Sequence, residues 1–168
     1  MARAREGRTA ADDASRPRFR LDDLRHLAAA LGAGVGLAPS RAAALATHLL
    51  WFDAAGAASF GIATLPDWLE RIAARQVDPR AEGTIGLERA GTANLDGQNG
   101  VGPLILARAA SLAAEKARDV GVGLVRVTGL GPTGPAAPAA AEIAIGPEAA
   151  ALIGPGPVSD THHRAHQP

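Results

Sequence analysis

Through the first half of the chain apolar side chains recur at helical spacing, and from Thr84 onward the spacing changes to short alternating runs. In "RLDDLRHLAAALGAG", Leu21, Leu24, Leu27/Ala28 and Leu31 fall at i, i+3, i+7 and i+10, which makes one helical stripe ending at Gly32 or Gly34. Asp22 and Asp23 stand in its first turn, where the helix dipole favours anions. "PSRAAALATHLLWFDAAG" predicts a second helix. Ser40 is its expected N-cap, Leu45, Leu49 and Phe52 its buried face, and Gly56 its stop. "PDWLERIAARQ" predicts a third, short helix with Pro66 at the first position and Leu69, Ile72 and Ala73 turned inward. "VDPRAEG" is a turn-rich connector.

"TIGLERAG" and "TANLDG" then read as two short strands joined by a turn around Ala90 and Gly91. "PLILARAASLAAEKARDVG" is a long helix that Pro103 starts and Gly121 caps. Leu104, Ala107, Ser111 and Ala114 share one of its faces. "VGLVRV", residues 122–127, is a strand of the buried type. The order is therefore ααα followed by β-β-α-β, an α/β fold of α+β-like character. Residues 1–20 read as a disordered basic arm, 21–78 as the helical segment, 79–153 as a partial α/β segment and 154–168 as a flexible Pro/Gly/His-rich tail.

Composition adjusts this picture in three ways. At 168 residues the chain suits one domain. Apolar residues make up 47% but aromatic ones only 3%, so an alanine-rich core gains little area per side chain. The aromatic anchors are Phe19, Trp51, Phe52, Phe60 and Trp68, and the last four mark the centre of packing. Seventeen Lys and Arg balance seventeen Asp and Glu, which gives no field for nucleic acid or an anionic membrane. The arginines of "MARAREGR" and "RPRFR" are diluted by Gly, Ala, Ser and Asp, as in a disordered tail. No apolar run behind them matches a secretory signal, and no stretch predicts a membrane span. Zero cysteines exclude disulfides and thiolate chemistry, and a cytoplasmic location is expected.

Candidate chemistry is sparse. "GLGPTG" places Gly129, Gly131 and Gly134 at G-x-G-x-x-G spacing after a strand and before an alanine-rich helix. Pro135 and Pro138 disturb the helix start, and no second strand ending in an acid follows, so the segment reads as a Gly/Pro loop. His162, His163 and His166 form a cluster of metal-ligating type without a supporting shell, and no metal site is expected. His26 and His48 read as exposed or boundary helix residues. Glu70, Glu115 and Lys116 read as solvated helix charges. Asp96, before Gln98, Asn99 and Gly100, either caps the long helix or shapes the loop leading into it.

From Leu21 to Ile145 the chain resembles the N-terminal part of the malate/L-lactate dehydrogenase family, the non-Rossmann NAD(P)-dependent 2-hydroxyacid dehydrogenases that include ureidoglycolate and sulfolactate dehydrogenases. Three segments carry the resemblance. "D-x-x-G-x-x-S-x-G-x-x-x-L-P" is present as Asp53, Gly56, Ser59, Gly61, Leu65 and Pro66, followed by "WLERI" and "VDPRA". "LDGQNGVGPLILARAASLAAEKARDVGVGLVRV" is similar to the family's "DG-x-NG-x-G" loop, helix and strand. "TGLGPTG" occupies the place of a Ser-Asn-His-Phe-Gly-type loop.

The resemblance implies a helical N-terminal part, a cofactor-binding sheet present here as a β-β-α-β fragment, NAD or NADP as cofactor, and a homodimer or pairing with a full-length relative. The implied reaction moves a hydride between nicotinamide and C2 of a 2-hydroxy acid, which needs a proton carrier at the C2 oxygen and a cation for the carboxylate. The family's His and Arg positions in the first motif are Phe60 and Thr64 here, and the second motif's His position is Gly129. The family's Arg and Asp earlier in that loop correspond to Ala55 and Ala58. Ser59, Gly61, Asp96 and Asn99 remain as a residual pocket, and no catalytic residue is assigned. The expected function is that of a divergent, truncated and catalytically impaired oxidoreductase. The alternatives are a non-catalytic interaction module, or a broken reading frame with "GPGPVSDTHHRAHQP" as its out-of-frame ending.

Overall fold

A computed structural model describes residues 18–143. The histidine cluster, the tail and most of the basic arm lie outside the described residues. Helix α1 spans Leu21–Gly34 and α2 spans Pro39–Ala54. They cross where α1 presents Ala28 and Gly32, its two buried residues. A Cβ on Gly32 would come within 3.2 Å of the Ala42 Cβ, so the crossing tolerates only the smallest side chains. This corrects the leucine stripe. Leu21, Leu27 and Leu31 are 53%, 57% and 44% exposed, because the close backbone approach turns the Ala28/Gly32 face inward and the leucines away.

Helix α2 starts one residue before Ser40. Pro39 opens it, Ala38 is the N-cap residue, and no side chain caps it. Leu45, Leu49 and Phe52 are buried as expected. Two short 3₁₀ turns, Ala58–Phe60 and Ile62–Thr64, lead into α3, Leu65–Ala73. Its buried residues are Leu65, Trp68 and Ile72, while Leu69 is half-buried and Ala73 exposed. Because the helix begins at Leu65, positions i, i+3 and i+7 face the core, and Trp68 takes the place expected of Ala73. Leu45, Leu49, Trp68 and Ile72 share one core with Val77 from the connector and Val101 before the next helix.

Strands β1 (Thr84–Glu88), β2 (Thr92–Asp96) and β3 (Leu124–Thr128) form a sheet in that order. The β1/β2 pair is antiparallel with an irregularity between Ile85 and Glu88, and β2/β3 is parallel. A parallel neighbour requires a crossover, and α4, Gly102–Val120, supplies it. Gly121, at φ +85°, ends that helix as expected. Helix α4 covers one face of the sheet with Ile105 and Ala109 against Leu95, and Ile85, Val125 and Val127 pack around them half-buried. The other face is uncovered among the described residues. Strand β3 therefore corrects the buried-type expectation. It alternates exposed and half-buried residues, Leu124 is 64% exposed, and the strand begins two residues later than residue 122.

The stripe Leu104, Ala107, Ser111 and Ala114 is not the face that packs on the sheet. Ser111 is exposed, and its hydroxyl donates to the Ala107 carbonyl at 3.1 Å. Lys116 is a further correction. It is buried, and its Nζ donates to Glu88 Oε1 at 2.9 Å and to the Arg89 carbonyl at 2.7 Å. The β1–β2 hairpin end lies over the last turns of α4, which removes the ammonium from water and supplies both acceptors. Helix α5, Ala137–Ile143, packs on α4 and α2. Among the described residues five α-helices and a mixed three-stranded sheet make an α/β fold with the helical part first, and the antiparallel β1 departs from a doubly wound sheet.

Candidate functional site

The bend between α2 and α3 is built by its own backbone and one carboxylate. Asp53, in the last turn of α2, accepts the Ile62 N–H on Oδ2 at 2.7 Å and so starts the second 3₁₀ turn. Gly61 lies against the same carboxylate, leaving no room for a Cβ. Its φ of −85° suits any residue, so close approach is what calls for glycine here. The Ala57 N–H bonds back to the Phe52 carbonyl at 2.8 Å, and Thr64 Oγ1 donates to the Gly61 carbonyl at 2.8 Å. The retained Asp53 and Gly61 of the first motif are explained by this geometry.

The bend opens on a groove of about 80 Å³. One wall is α2 (His48, Leu49, Phe52), another is Phe60, Thr64 and Trp68, and the third is the loop Thr133, Gly134 and Pro135. The Phe52 ring meets His48 at a centroid distance of 5.4 Å and Phe60 at 5.8 Å. Among the described residues no side chain charged at neutral pH lines the groove. Burial holds the His48 imidazole below its ordinary value of 6.5, which favours the neutral ring. Thr133 Oγ1 donates to the Gly134 carbonyl at 2.9 Å. Both threonine hydroxyl protons are therefore engaged, and their oxygens remain as acceptors.

The structure brings Phe60 and Thr64 together with the Gly/Pro loop that follows the Val-rich strand. The other sequence-derived positions go elsewhere. Ser59 is exposed beside the groove, as are Ala55 and Ala58. Asp96 lines a separate polar hollow of about 400 Å³ on the uncovered sheet face, with Thr84, Asn94, Gln98 and Thr128. Its Oδ1 accepts the Gln98 N–H at 3.0 Å. Val101 occupies the N-cap of α4 with no side-chain cap, so of the two expected roles Asp96 has the loop-shaping one. Asn99, at φ +53°, donates from Nδ2 to the Gln76 carbonyl at 2.9 Å and accepts the Asp78 N–H on its own carbonyl at 2.8 Å. It ties the connector to this loop.

Gly129 packs against Asp96, and a Cβ on Gly131 would lie 2.7 Å from the Gly100 carbonyl. Gly129 and Gly131 thus serve close packing, Gly134 stands at φ +64° with open space around it, and α5 begins only at Ala137. Among the described residues no group of three His, Asp or Glu could hold a metal. His48 is half-buried, a boundary helix residue as expected, and it lines the groove. Its spacing to Leu45 and Phe52 places it beside the buried stripe of α2 and was the available signal. His26 is exposed, as expected.

Comparison with known proteins agrees with this arrangement. The malate/L-lactate dehydrogenase family profile matches residues 19–145. L-sulfolactate dehydrogenase of Methanocaldococcus jannaschii is 34% identical over 73 residues, 44% of this chain and 21% of that protein. The structure of malate dehydrogenase from Pyrococcus horikoshii superposes with a TM-score of 0.73 at 26% identity, over 76% of this chain and 37% of that one. Delta1-piperideine-2-carboxylate reductase from Pseudomonas syringae gives a TM-score of 0.62 at 28% identity, over 68% of this chain and 35% of its own. The chain thus spans little more than a third of the length of these solved structures. A family match across three quarters of the residues, with the same fold and the motif-bearing bend in place, shows that the chain belongs to the malate/L-lactate dehydrogenase family.

Proposed function

We propose that this chain keeps the scaffold of an NAD(P)-linked oxidoreductase for 2-hydroxy acids and that its groove no longer turns such a substrate over. The carrying observation is the lining of the groove, where the family's His and Arg positions are Phe60 and Thr64. Oxidation at C2 sends a hydride to nicotinamide and the hydroxyl proton to a base. A phenyl ring accepts no proton, and losing a general acid–base costs about 10²–10⁴-fold in rate. A substrate carboxylate would also enter without a cation, and burying an unpaired charge is costly.

Family membership brings NAD or NADP as the expected cofactor. The groove by itself does not fit a whole dinucleotide. The groove is roughly half the ~150 Å³ of a cavity that holds benzene. The amides of Gly97, Gln98, Asn99 and Gly100, which a phosphate could use, already donate to Thr128, Asp96, Gly129 and Gly97. Dinucleotide binding by this chain alone is therefore weak, and no catalytic step is derived through it.

The exposed leucines of α1 and the uncovered sheet face favour a second reading, a cytoplasmic interaction module that pairs with its own copy or with a full-length relative. Titration with NADH and NADPH, followed by nicotinamide fluorescence, together with assays on a panel of 2-keto acids, tests the first reading. No turnover is expected, and Phe60→His/Thr64→Arg is expected to stay inactive. Turnover by the native chain would overturn the proposal. Light scattering on the purified chain tests the second reading, for which an unpaired monomer would be the contrary result.

A further inference from the structure

The chain holds two asparagines, Asn94 and Asn99, and only Asn99 is followed by glycine. An Asn-Gly pair is open to loss of the side-chain amide, because glycine has no side chain to shield the nitrogen that attacks. The Gly100 amide nitrogen gives up its proton and bonds to Asn99 Cγ, the Cγ–Nδ2 bond breaks, and ammonia leaves with that proton. Water then opens the cyclic imide, either to aspartate or to isoaspartate with the main chain routed through Cβ and Cγ. No oxidant, reductant or cofactor is consumed.

The fold requires both members of this labile pair. Asn99 stands at φ +53°, a left-handed conformation that asparagine tolerates better than most side chains. A Cβ on Gly100 would lie 2.9 Å from the Ala81 carbonyl oxygen and 3.0 Å from that of Gly97, so glycine is needed there. Asn99 is exposed, and exposure alone would leave it to react. Three contacts oppose the reaction. Nδ2 of Asn99, the leaving group, donates to the Gln76 carbonyl at 2.9 Å, which fixes the side chain. The attacking nitrogen belongs to buried Gly100 and donates to the Gly97 carbonyl at 2.8 Å. The Asn99 carbonyl accepts the Asp78 N–H at 2.8 Å, and Asp78 pairs with Gly100 in an isolated parallel bridge. The peptide between the two reacting residues is therefore held by the start of the connector.

We propose that Asn99–Gly100 is a chemical latch on the connector: residues 76–78, when seated, hold the pair inert, and when lifted they release Asn99 to deamidate into a form that cannot seat them again. A carboxylate at position 99 only accepts hydrogen bonds, so it would face the Gln76 carbonyl oxygen with no proton between them. Isoaspartate also lengthens the main chain by a methylene and breaks the register of the Asp78–Gly100 bridge. Opening a surface segment costs less than global unfolding, so the latch acts in a chain that is otherwise folded.

The test incubates the full chain in mildly alkaline buffer, folded or unfolded in urea, and follows Asn99 by peptide mapping with mass spectrometry. Conversion of amide to acid raises the peptide mass, which separates it from isomerisation at the neighbouring Asp96–Gly97 pair. The folded chain is expected to convert at least about tenfold more slowly than the unfolded one, and equal rates overturn the inference. Arg41→Ala removes the donor to the Pro79 and Ala81 carbonyls, and Arg108→Ala, at an exposed position, removes the donor to those of Glu82 and Gly83. A variant that keeps the folded circular dichroism spectrum is expected to convert at least about threefold faster than the native chain. Native rates in the folded variants overturn the connector's part. Asn99→Asp is expected to speed hydrogen exchange at the Asp78 amide at least about fivefold while the amides of α2 exchange as before. Unchanged exchange at Asp78 overturns the one-way step, and faster exchange throughout α2 overturns its local character.

Discussion

The helical part and the sheet part of this molecule solve burial differently. In the helical part Ala28, Leu45, Leu49, Trp68 and Ile72 enclose one another, and every helix has neighbours on its inner side. In the sheet part the buried cluster is smaller, Leu95, Ile105 and Ala109, and β3 shows half-buried valines on one side and exposed residues on the other. Stability therefore resides mainly in the helical part. A closed helical cluster removes apolar surface on several sides, whereas a three-stranded sheet under a single helix removes it on one. The groove lies where both parts contribute, with two walls from the deep cluster and one from the thinly covered loop after β3.

Truncation to alanine is expected to cost more in the helical part than in the sheet, beyond the one extra carbon that leucine loses. Leu49→Ala is expected to lose about 3 kcal/mol of stability and Val125→Ala about 1 kcal/mol, measured by chemical denaturation. Similar losses would show that the sheet is as well enclosed as the helices. A smaller effect sharpens the account of the bend. Gly61→Ala forces a methyl group onto the Asp53 carboxylate and is expected to cost about 2 kcal/mol, with Asp53→Ala relieving part of it in a double-mutant cycle. Strict additivity would sever the proposed contact.

The pH dependence is subtler. His48 titrates below 6.5 when folded, so the unfolded chain binds its proton more readily. Stability from this group is complete above pH 6.5 and falls as pH drops through the depressed folded value. His48→Gln should flatten that part of the acid limb, and an unchanged profile would refute the assignment. The smallest effect is expected at Leu27→Ser, within about 0.5 kcal/mol in the monomer, because that leucine faces outward.

Much of this was legible from residue order. Helix periodicity located α2 and α4, the glycine-marked turn located the β1–β2 hairpin, and the spaced Asp, Gly and Pro of the bend identified the family. What was not legible depends on contacts distant in sequence. Leu27 and Leu31 satisfy a helical stripe, yet the crossing with α2 selects Ala28 and Gly32, and that preference is set by Ala42 on the other helix. Lys116 resembles any solvated helix lysine until Glu88 and Arg89 fold over it. His48 enters the groove because a loop eighty-five residues later, at Thr133, closes the opposite wall. Periodicity reports which side of an element is apolar, and the partner decides which side is covered.

The connector between the two parts is gripped from both directions. Arg41 of α2 donates to the Pro79 and Ala81 carbonyls at 3.1 and 2.7 Å, and Arg108 of α4 donates to those of Glu82 and Gly83 at 2.6 and 3.0 Å. Each guanidinium reaches two acceptors that belong to the peptide chain itself, Arg41 through Nε and Nη2 and Arg108 through Nη1 alone. Since every residue type brings the same carbonyl, the grip itself is indifferent to side chains, and the strap's own limits lie at buried Ala81 and at Gly83, whose φ of +81° calls for glycine. Substitutions at the exposed Arg80 and Glu82 leave the joint intact, provided the two arginines stay.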